Sequence, residues 1–180
     1  GYDSVMFDGS KLSIEENIKL TKEVVDYAHA KGVIVEGEVG AVGGEEDGLI
    51  GQVRYADIDD CIALVEQANI DTLAPALGSV HGKYQGEPNL GFEEMEILGQ
   101  KIDIPLVLHG ASGISNSDLQ RAIDLGHAKI NFNTEINISW SNQLRDTLNE
   151  SEELFNPQKI LKPSIGAIEK TAERIINICG

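Results

Sequence analysis

The stretch IPLVLHGASGIS, residues 104–115, joins an apolar run to a histidine that is followed at once by glycine. The continuous apolar run from Ile104 to Leu108 is typical of a buried parallel strand, because both faces of such a strand are covered. Burial of the strand does not account for His109. A single histidine in this position is most often a core residue satisfied by a neighbouring carbonyl, so its meaning depends on whether the rest of the chain repeats the arrangement.

The arrangement does recur, since five strand-like runs end in side chains that can form hydrogen bonds or bind metal ions. The other four runs are residues 2–10, 32–40, 72–82 and 128–135. Their terminal polar residues are Asp8, Glu36, Glu38, His81, Asn131, Asn133, Thr134 and Glu135. The starts of the runs carry nothing comparable. Because parallel strands place their carboxyl ends at one edge of a sheet, these side chains are predicted to share one site.

Helical patterns separate the runs. Ser13, with Glu16 three residues later, forms a capping box before an apolar stripe, and Gly32 is a suitable C-terminal stop. Further helices are predicted at residues 57–69, 92–101, 117–126 and 134–149, and from Pro163, in a first turn, to Cys179. Strands and helices that alternate about every 25 to 40 residues predict a parallel α/β sheet with right-handed crossovers.

Two parallel α/β architectures are open at this point. A doubly wound sheet collects ligand groups at one crevice from two or three loops, whereas every strand end of a (β/α)8 barrel faces the same mouth. Polar residues at all five strand ends favour the barrel. A barrel needs eight strands and about 250 residues, while the chain has 180. We therefore expect residues 1–180 to be the C-terminal part of a single (β/α)8 TIM-barrel domain, its last five βα units, with the first three units missing from the chain.

The composition fits a globular enzyme and argues against several classes of partner. Hydrophobic residues make up 41% of the chain, and no apolar stretch approaches the ~20 residues of a membrane helix. A formal net charge of −16 argues against nucleic acid and anionic membranes as partners. Cys61 and Cys179 both lie in helical patterns and are expected to be free thiols in a reducing compartment, which predicts a cytoplasmic location.

His81 and His109 are the strongest candidates for metal ligands. They end consecutive predicted strands, and neighbouring strands lie ~4.8 Å apart, so that both imidazoles can reach one zinc ion at ~2.0 Å. A glycine follows each histidine and leaves the adjacent backbone N–H open to a ligand. His29 lies within a helix and His127 precedes a strand, so both are expected to be structural or solvent-facing.

Other segments offer groups for catalysis and binding. Residues 40–48, GAVGGEEDG, carry three carboxylates on a loop with several glycines. Alone this is a solvated acidic loop, but beside a metal ion it can close over a substrate and supply a general base. Residues 109–113, HGASG, and 131–134, NFNT, offer backbone N–H groups, hydroxyls and amides that suit a phosphate. The alternative role for NFNT is capping at a strand end.

Four motifs together resemble a known family. EGEVGAVGGEED (36–47), APALGSVHG (74–82), LVLHGASG (106–113) and KINFNTE (129–135) are similar, in order and spacing, to the class II metal-dependent ketose-bisphosphate aldolases. The resemblance covers essentially the whole chain. It implies a (β/α)8 enzyme that reversibly cleaves fructose 1,6-bisphosphate into glycerone phosphate and glyceraldehyde 3-phosphate, or, in a sister group, tagatose 1,6-bisphosphate. It implies sugar bisphosphates and triose phosphates as small-molecule partners, and a homodimer or homotetramer.

The resemblance also implies roles for individual residues. His81 and His109 would be two of three zinc-binding histidines, and Glu46 the loop carboxylate that takes a proton from a glycerone phosphate carbon. Asp8 and Glu38 match acidic positions associated with a second divalent metal ion, and the family likeness also allows a monovalent cation. The implied substrate contacts are Gly82, Gly110, Ala111, Ser112, Asn131, Phe132, Asn133 and Thr134. The third zinc histidine and the aspartate that protonates the aldehyde oxygen belong, in the family, to the strand preceding this sequence.

The chemistry of carbon–carbon cleavage independently favours a metal. Retro-aldol cleavage leaves negative charge beside a carbonyl, which an enzyme stabilises with a Schiff-base lysine or with a Lewis-acid metal that polarises the carbonyl. Lys129 is expected at the start of its strand and Lys83 beyond the end of one, so neither is placed for a Schiff base. Two alternatives stay open: a tagatose 1,6-bisphosphate aldolase, and a barrel remnant that binds phosphate without catalysis. The isolated chain is expected to be inactive.

Overall fold

The computed structural model describes residues 1–46, 49–51, 54–84, 86–150 and 152–180, and the side chains of residues 45, 46 and 49–51 lie outside that description. The chain divides into two compact units, Gly1–Asn131 and Phe132–Gly180. The first unit contains the strands together with four helices, and the second contains two helices.

The first unit contains two sheets. The larger sheet is wholly parallel and consists, in spatial order, of β1 (Ser4–Phe7), β2 (Ile34–Val39), β5 (Thr72–Pro75), β7 (Leu106–Leu108) and β8 (His127–Ile130). The smaller sheet has the order β4-β3-β6 and consists of β3 (Gly43–Glu46), β4 (Leu49–Gly51) and β6 (Val80–His81). Among the described strands, the order of the larger sheet follows the chain without a reversal. The predicted parallel α/β fold is confirmed.

Four helices lie between successive strands of the larger sheet, and their ends agree closely with the predicted ones. They are α1 (Ile14–His29), α2 (Ile58–Ala68), α3 (Phe92–Lys101) and α4 (Asn116–Asp124). Side chains cap three of the N-termini, because the oxygens of Ser13, Asp57 and Ser115 accept from backbone N–H groups of the first turn. These caps satisfy backbone N–H donors that the start of a helix leaves without partners. Because such caps are local, the sequence alone predicts the helix starts closely.

The core lies between the larger sheet and these helices. Val35, Leu73, Leu106 and Val107 are at most 1% exposed and represent three neighbouring strands. Every residue of β2 after Ile34 is buried, as expected for a strand covered on both faces. This burial includes two carboxylates of β2, which therefore need partners inside the protein.

Two predictions about strands are wrong. Residues 72–82 do not form one strand, because β5 and β6 belong to different sheets. Gly78, between them, has φ 93°, and a Cβ at this position would lie 2.2 Å from the Asn89 oxygen, so a turn replaces the expected continuation. Within the predicted acidic loop, residues 43–46 form β3, which pairs in parallel with β6.

The second unit consists of α5 (Thr134–Glu150) and α6 (Pro157–Cys179), which pack against each other. An ion pair joins Arg174 to Glu135. Helix α6 begins at Pro157 rather than at the predicted Pro163, because the Asn156 side chain accepts from the N–H groups of the first turn and Pro157 needs no donor there. Residues 157–164 are therefore helical, and Pro163 lies inside the helix.

Both cysteines are free thiols, as predicted, and Cys61 is buried. Burial raises the pKa of the Cys61 thiol to about 12, which keeps it protonated and unreactive. In the parts of the chain that the structure describes, no helix combines the length and the apolarity needed to cross a bilayer.

Candidate active site

His109 directly follows β7 and lies between two carboxylates of β2. Its Nε2 is 2.9 Å from Glu36 Oε1, and its Nδ1 is 3.5 Å from Glu38 Oε2. Residues two apart on a strand project to the same face, so both carboxylates point the same way. The contact passes over β5, where the small, buried Ala74 lies opposite Glu38 in the register. All three polar side chains are at most 8% exposed.

Lys129 of β8 completes this group. Its Nζ lies 2.6 Å from Glu36 Oε2, so the two oxygens of one carboxylate hold a histidine and a lysine. The sequence predicts Lys129 at the start of its strand, away from the site. That prediction is wrong, because β8 runs from His127 to Ile130. The alternation of side chains would have revealed it, since Lys129 shares a strand face with Asn131, a predicted site residue.

The electrostatics of this group follow from burial and hydrogen bonding. Burial is the largest single effect on Glu36 and opposes its ionisation, but the hydrogen bonds from His109 and Lys129, together with their positive charges, outweigh it and lower the pKa of Glu36. Burial is also the largest effect on His109 and disfavours its charge. The bond to Glu36 and the negative charges of Glu38 and Glu36 outweigh that burial and raise the pKa of His109. The site therefore favours positive charge between its carboxylates.

His81 lies at the end of β6, and its ring stacks beside that of His109. The ring centroids are 6.2 Å apart and the planes make an angle of 28°. Tyr84 ties the two histidine segments together, because its hydroxyl accepts from Val80 N at 3.1 Å and donates to Gly110 O at 2.9 Å. The predicted meeting of the two histidines is thus observed, although His81 reaches it from the smaller sheet.

Close backbone packing explains why glycine follows His109. Gly110 has φ 66°, and a Cβ there would lie 2.4 Å from Val80 O. Its neighbour Ala111 is fully buried, and Ala111 N donates to Asn131 O at 3.2 Å. The Ala111 N–H is therefore used within the fold. Ser112 is 7% exposed.

The donor set fits part of a zinc site. Two ligands at ~2.0–2.1 Å from a tetrahedral zinc ion lie about 3.4 Å apart, and His109 Nδ1 lies 3.5 Å from Glu38 Oε2. The His81 ring is adjacent. Within the described residues, however, no three histidine, cysteine or carboxylate side chains are grouped as one complete metal site. His81, His109 and Glu38 are the residues that would hold a metal ion here.

The hydrogen bonds described for two predicted polar residues of the first unit, Asp8 and Asn131, are local or belong to the backbone. The exposed Asp8 caps its own turn, because its Oδ1 accepts from Ser10 N at 2.9 Å. Asn131 uses its backbone to extend the sheet, and its N donates to Leu108 O at 2.9 Å. Gly82 has φ 83° and follows His81 at the end of β6. Their assignment to metal or substrate stays a prediction.

The remaining predicted site residues are Glu46 in the first unit and three residues in the second unit. Glu46 is the last residue of β3, and its side chain is outside the described part of the chain. Phe132, Asn133 and Thr134 belong to the second unit. There Thr134 begins α5, and Asn133 Oδ1 accepts from Asn137 Nδ2 at 2.8 Å. Their substrate contacts stay predictions.

The other two histidines have structural partners, as expected. His29 Nε2 lies 2.8 Å from Asp71 Oδ2. His127 is 2% exposed, and its Nδ1 lies 3.0 Å from Ala122 O at the end of α4. Burial lowers the pKa of His127 to about 4, so it is neutral at physiological pH.

Comparison with known proteins gives a match along the whole chain. Residues 1–180 match the family model described as fructose-bisphosphate aldolase class-II. The chain is 59% identical over 171 residues to the 6-phospho-5-dehydro-2-deoxy-D-gluconate aldolase of Bacillus subtilis (strain 168), an alignment that covers 95% of this chain and 59% of that protein. It is 52% identical over 174 residues to the fructose-bisphosphate aldolase of Staphylococcus aureus (strain Mu50 / ATCC 700699). That alignment covers 96% of this chain and 61% of the Staphylococcus aureus protein.

Solved structures give the same result. The YdjI aldolase from Escherichia coli K12 aligns with a TM-score of 0.82 and 37% identity, covering 100% of this chain and 62% of that one. The fructose-bisphosphate aldolase from Campylobacter jejuni, at 23% identity, shares the fold with a TM-score of 0.77. The alignment covers 98% of this chain and 60% of the Campylobacter jejuni chain. The chain thus spans about six tenths of the length of the relatives it matches.

Proposed function

The chain belongs to the class II fructose-bisphosphate aldolase family, and from that premise we propose that it contributes to a zinc-dependent aldolase that releases glycerone phosphate from a keto sugar phosphate. The observation that carries the proposal is the position of His109, beside His81 and between Glu36 and Glu38. Buried imidazole and carboxylate groups that favour a positive charge suit a divalent metal ion.

In this proposal His81, His109 and Glu38 hold the metal ion. When bound, the zinc ion supplies a Lewis acid that polarises the substrate's keto oxygen. In the direction of synthesis, the Glu46 carboxylate takes a proton from the hydroxymethyl carbon of glycerone phosphate, and that carbon then bonds to the aldehyde carbon. The aldehyde oxygen takes its proton from the aspartate that the family resemblance places on the strand preceding this sequence. In cleavage that aspartate removes the hydroxyl proton, and Glu46 returns a proton to the carbon after the bond breaks. A second divalent ion near Asp8 and a monovalent cation remain part of the proposal.

Backbone and side-chain donors hold the phosphate in this proposal. Its binding residues are Gly82, Gly110, Ser112, Asn131, Phe132, Asn133 and Thr134, with Ala111 as a lining residue. Ala111 cannot donate from its backbone in the present fold, because its N–H already bonds to Asn131 O. With a net charge of −16 on the chain, the phosphate depends on such local donors rather than on long-range attraction.

The preferred substrate is 6-phospho-5-dehydro-2-deoxy-D-gluconate, the compound named for the Bacillus subtilis relative at 59% identity. This compound has a ketone at C5 and a phosphate on C6. Cleavage between C3 and C4 yields glycerone phosphate and the three-carbon aldehyde acid 3-oxopropanoate. Fructose 1,6-bisphosphate yields the same glycerone phosphate half, so the predicted phosphate contacts serve either compound. The two substrates differ only in the aldehyde half.

Fructose 1,6-bisphosphate, the substrate expected from the motifs, is the second candidate, and the Staphylococcus aureus relative at 52% identity carries that name. Tagatose 1,6-bisphosphate is the third compound to test. Relative kcat/KM on the three compounds, measured on the chain co-expressed with the N-terminal segment of a relative, decides among them. A preference for either bisphosphate overturns the first choice. Phosphate binding without turnover of any of them would favour a non-catalytic remnant.

We also propose that residues 1–180 form the C-terminal part of a single (β/α)8 barrel domain. The sequential, parallel strand order supports this, as does the TM-score of 0.82 to an aldolase of which the chain covers 62%. On this proposal β1 and β8 are open edges and the chain alone is inactive. Turnover should appear on co-expression with the N-terminal segment of a relative, and robust turnover by the chain alone would contradict the proposal.

A cytoplasmic homo-oligomer completes the proposal. The free thiols of Cys61 and Cys179 suit a reducing compartment. Large apolar side chains are exposed on the second unit, among them Phe155, Ile165 and Ile176 at 90%, 55% and 67%, and such surfaces often mark subunit contacts. Light scattering should give the mass of a dimer or tetramer, and a monomer would contradict this part.

Metal dependence is tested by removing the metal. In the enzyme completed by co-expression with the N-terminal segment of a relative, a strong chelator should abolish activity, and Zn²⁺ or Co²⁺ should restore it. Lys129 lies close enough to the site that a Schiff base must be tested directly. Full activity in the metal-free protein, or substrate trapped on a lysine by borohydride, would refute the metal-dependent mechanism.

A further inference from the structure

We propose that Glu36 and Lys129 are positioning residues that hold His109 in the tautomer needed to bind the metal ion. Glu36 fixes the proton on His109 Nε2 and so leaves Nδ1 as the metal-binding nitrogen. Lys129 fixes Glu36 through its second oxygen. The inference rests on the metal site of the proposed function and adds two residues that do not themselves bind the ion.

The tautomer follows from which groups can donate. Lys129 Nζ, 2.6 Å from Glu36 Oε2, carries only donors, so this oxygen accepts. Glu36 Oε1, 2.9 Å from His109 Nε2, is then the second acceptor of a carboxylate, and Nε2 must carry the hydrogen. A neutral imidazole has one N–H, which leaves a lone pair on Nδ1.

That lone pair faces another electron-rich atom. His109 Nδ1 lies 3.5 Å from Glu38 Oε2, and two acceptors at this distance repel each other unless a proton or a cation lies between them. A metal ligand commonly has its other ring nitrogen bound to a carboxylate, which orients the ring. Glu36 has that relation to His109, and because Glu36 is 2% exposed it has little freedom to move away.

Lys129 determines which way an amide at position 36 would be oriented. In Glu36→Gln, Lys129 can only donate, so it selects the amide oxygen and turns the amide NH₂ toward His109 Nε2. Nε2 must then accept, and the proton moves to Nδ1, the nitrogen that the metal needs. If Lys129→Met is added, the amide is free to turn back and accept from Nε2–H. Adding Lys129→Met to Glu36→Gln should therefore restore part of the zinc affinity that Glu36→Gln loses.

The experiment measures zinc affinity by competition with a chromophoric chelator, together with the visible spectrum of the Co²⁺-loaded protein. Glu36→Gln should weaken zinc binding by about 10- to 100-fold, as changes to such outer partners do, and should alter the Co²⁺ bands. Lys129→Met should have a smaller effect, and Lys129→Arg, which keeps a charged donor, should restore affinity. Adding Lys129→Met to Glu36→Gln should raise affinity above that of Glu36→Gln alone.

The control is Lys22→Met. Lys22 and Lys129 are equally exposed, at 51%, and each pairs with one carboxylate, but Lys22 pairs with Asp26 on the surface of α1. Lys22→Met should leave affinity unchanged. Urea denaturation of each variant shows whether it folds, and a Glu36 variant that does not fold is replaced by Glu36→Asp, whose shorter side chain should weaken binding by lengthening the contact with His109.

The outcomes separate the two proposals. If the wild-type protein binds no Zn²⁺, the proposed metal site is wrong. If it binds Zn²⁺ and the Glu36 and Lys129 variants match Lys22→Met, only the positioning inference is wrong. A double variant that binds more weakly than Glu36→Gln would also refute the tautomer argument, because independent structural damage would accumulate rather than cancel.

Discussion

Replacing His127 tests how one buried imidazole limits stability in acid. The side chain is 2% exposed, and its Nδ1–H donates to Ala122 O at 3.0 Å. That bond satisfies a carbonyl at the C-terminal end of α4. Among the described residues, His127 Nε2 has no hydrogen-bond partner. Protonation would therefore place an unpaired charged N–H in the core, which is costly, and burial lowers the pKa of His127 from 6.5 to about 4.

The sign and size of the effect follow from these two pKa values. The unfolded chain binds the proton near pH 6.5, and the folded chain binds it only near pH 4. Between these values the unfolded state holds more protons, so the free energy of unfolding falls as the pH falls. Each unit of difference corresponds to about 1.4 kcal/mol. The loss is absent at neutral pH and reaches about 3 kcal/mol near pH 4.

The assay is urea denaturation of wild type, His127→Asn and His127→Gln, followed by circular dichroism from about pH 7 to about pH 4. Asn can still donate an amide N–H to Ala122 O, and neither replacement titrates. Both variants should be less stable than wild type at neutral pH, by about 1–3 kcal/mol from imperfect packing. That deficit should shrink by about 3 kcal/mol toward pH 4. A difference that stays constant over this range would refute the reasoning.

Further substitutions test the catalytic loop and the packing beneath the site. In the enzyme completed by a relative's N-terminal segment, Glu46→Gln should lower kcat by about 10²–10⁴-fold without changing metal content; a larger loss in Glu45→Gln would reverse the two roles. Tyr84→Phe removes hydrogen bonds of 3.1 and 2.9 Å and should lower the free energy of unfolding by about 1–3 kcal/mol; an unchanged urea midpoint would contradict this. Gly110→Ala puts a Cβ 2.4 Å from a backbone oxygen and should weaken both folding and zinc binding. Gly166→Ala, in α6 with open space around it, is its control and should stabilise by about 1 kcal/mol; equal losses at the two glycines would refute the packing argument.

Local signals predicted much of the fold. The apolar runs and the capping box at Ser13 act within one strand or one turn, so the strands of the larger sheet and its helices could be predicted from the sequence. The start of α6 was missed because Pro163 is also a strong local signal. A helix tolerates proline at its first turn best, but the cap at Asn156 extends this helix past it.

Contacts between residues far apart in the sequence limit how much of the candidate site the sequence can predict. The meeting of His81 and His109 could be predicted, since each ends an apolar run. The partnership of Glu36 with Lys129 could not, because it joins residues 93 apart in sequence across two intervening strands. The pairing of β6 with β3 was equally hidden. β3 is short and half glycine and β6 has two residues, so neither shows a clear alternation of side chains, and tertiary packing determines which strands pair.

The sequential strand order also has a consequence for how the chain folds as it is made. Each strand of the larger sheet pairs with the strand of that sheet made just before it; Ser4, for example, pairs with Ile34. A ribosome adds about 5–20 residues per second, so about 30 residues take roughly 2 to 6 seconds. Helices and short loops form within microseconds. When a new βα unit leaves the ribosome, the strand it pairs with has therefore already been synthesised and has had time to fold. This order favours co-translational assembly of the sheet from its N-terminal strand onward.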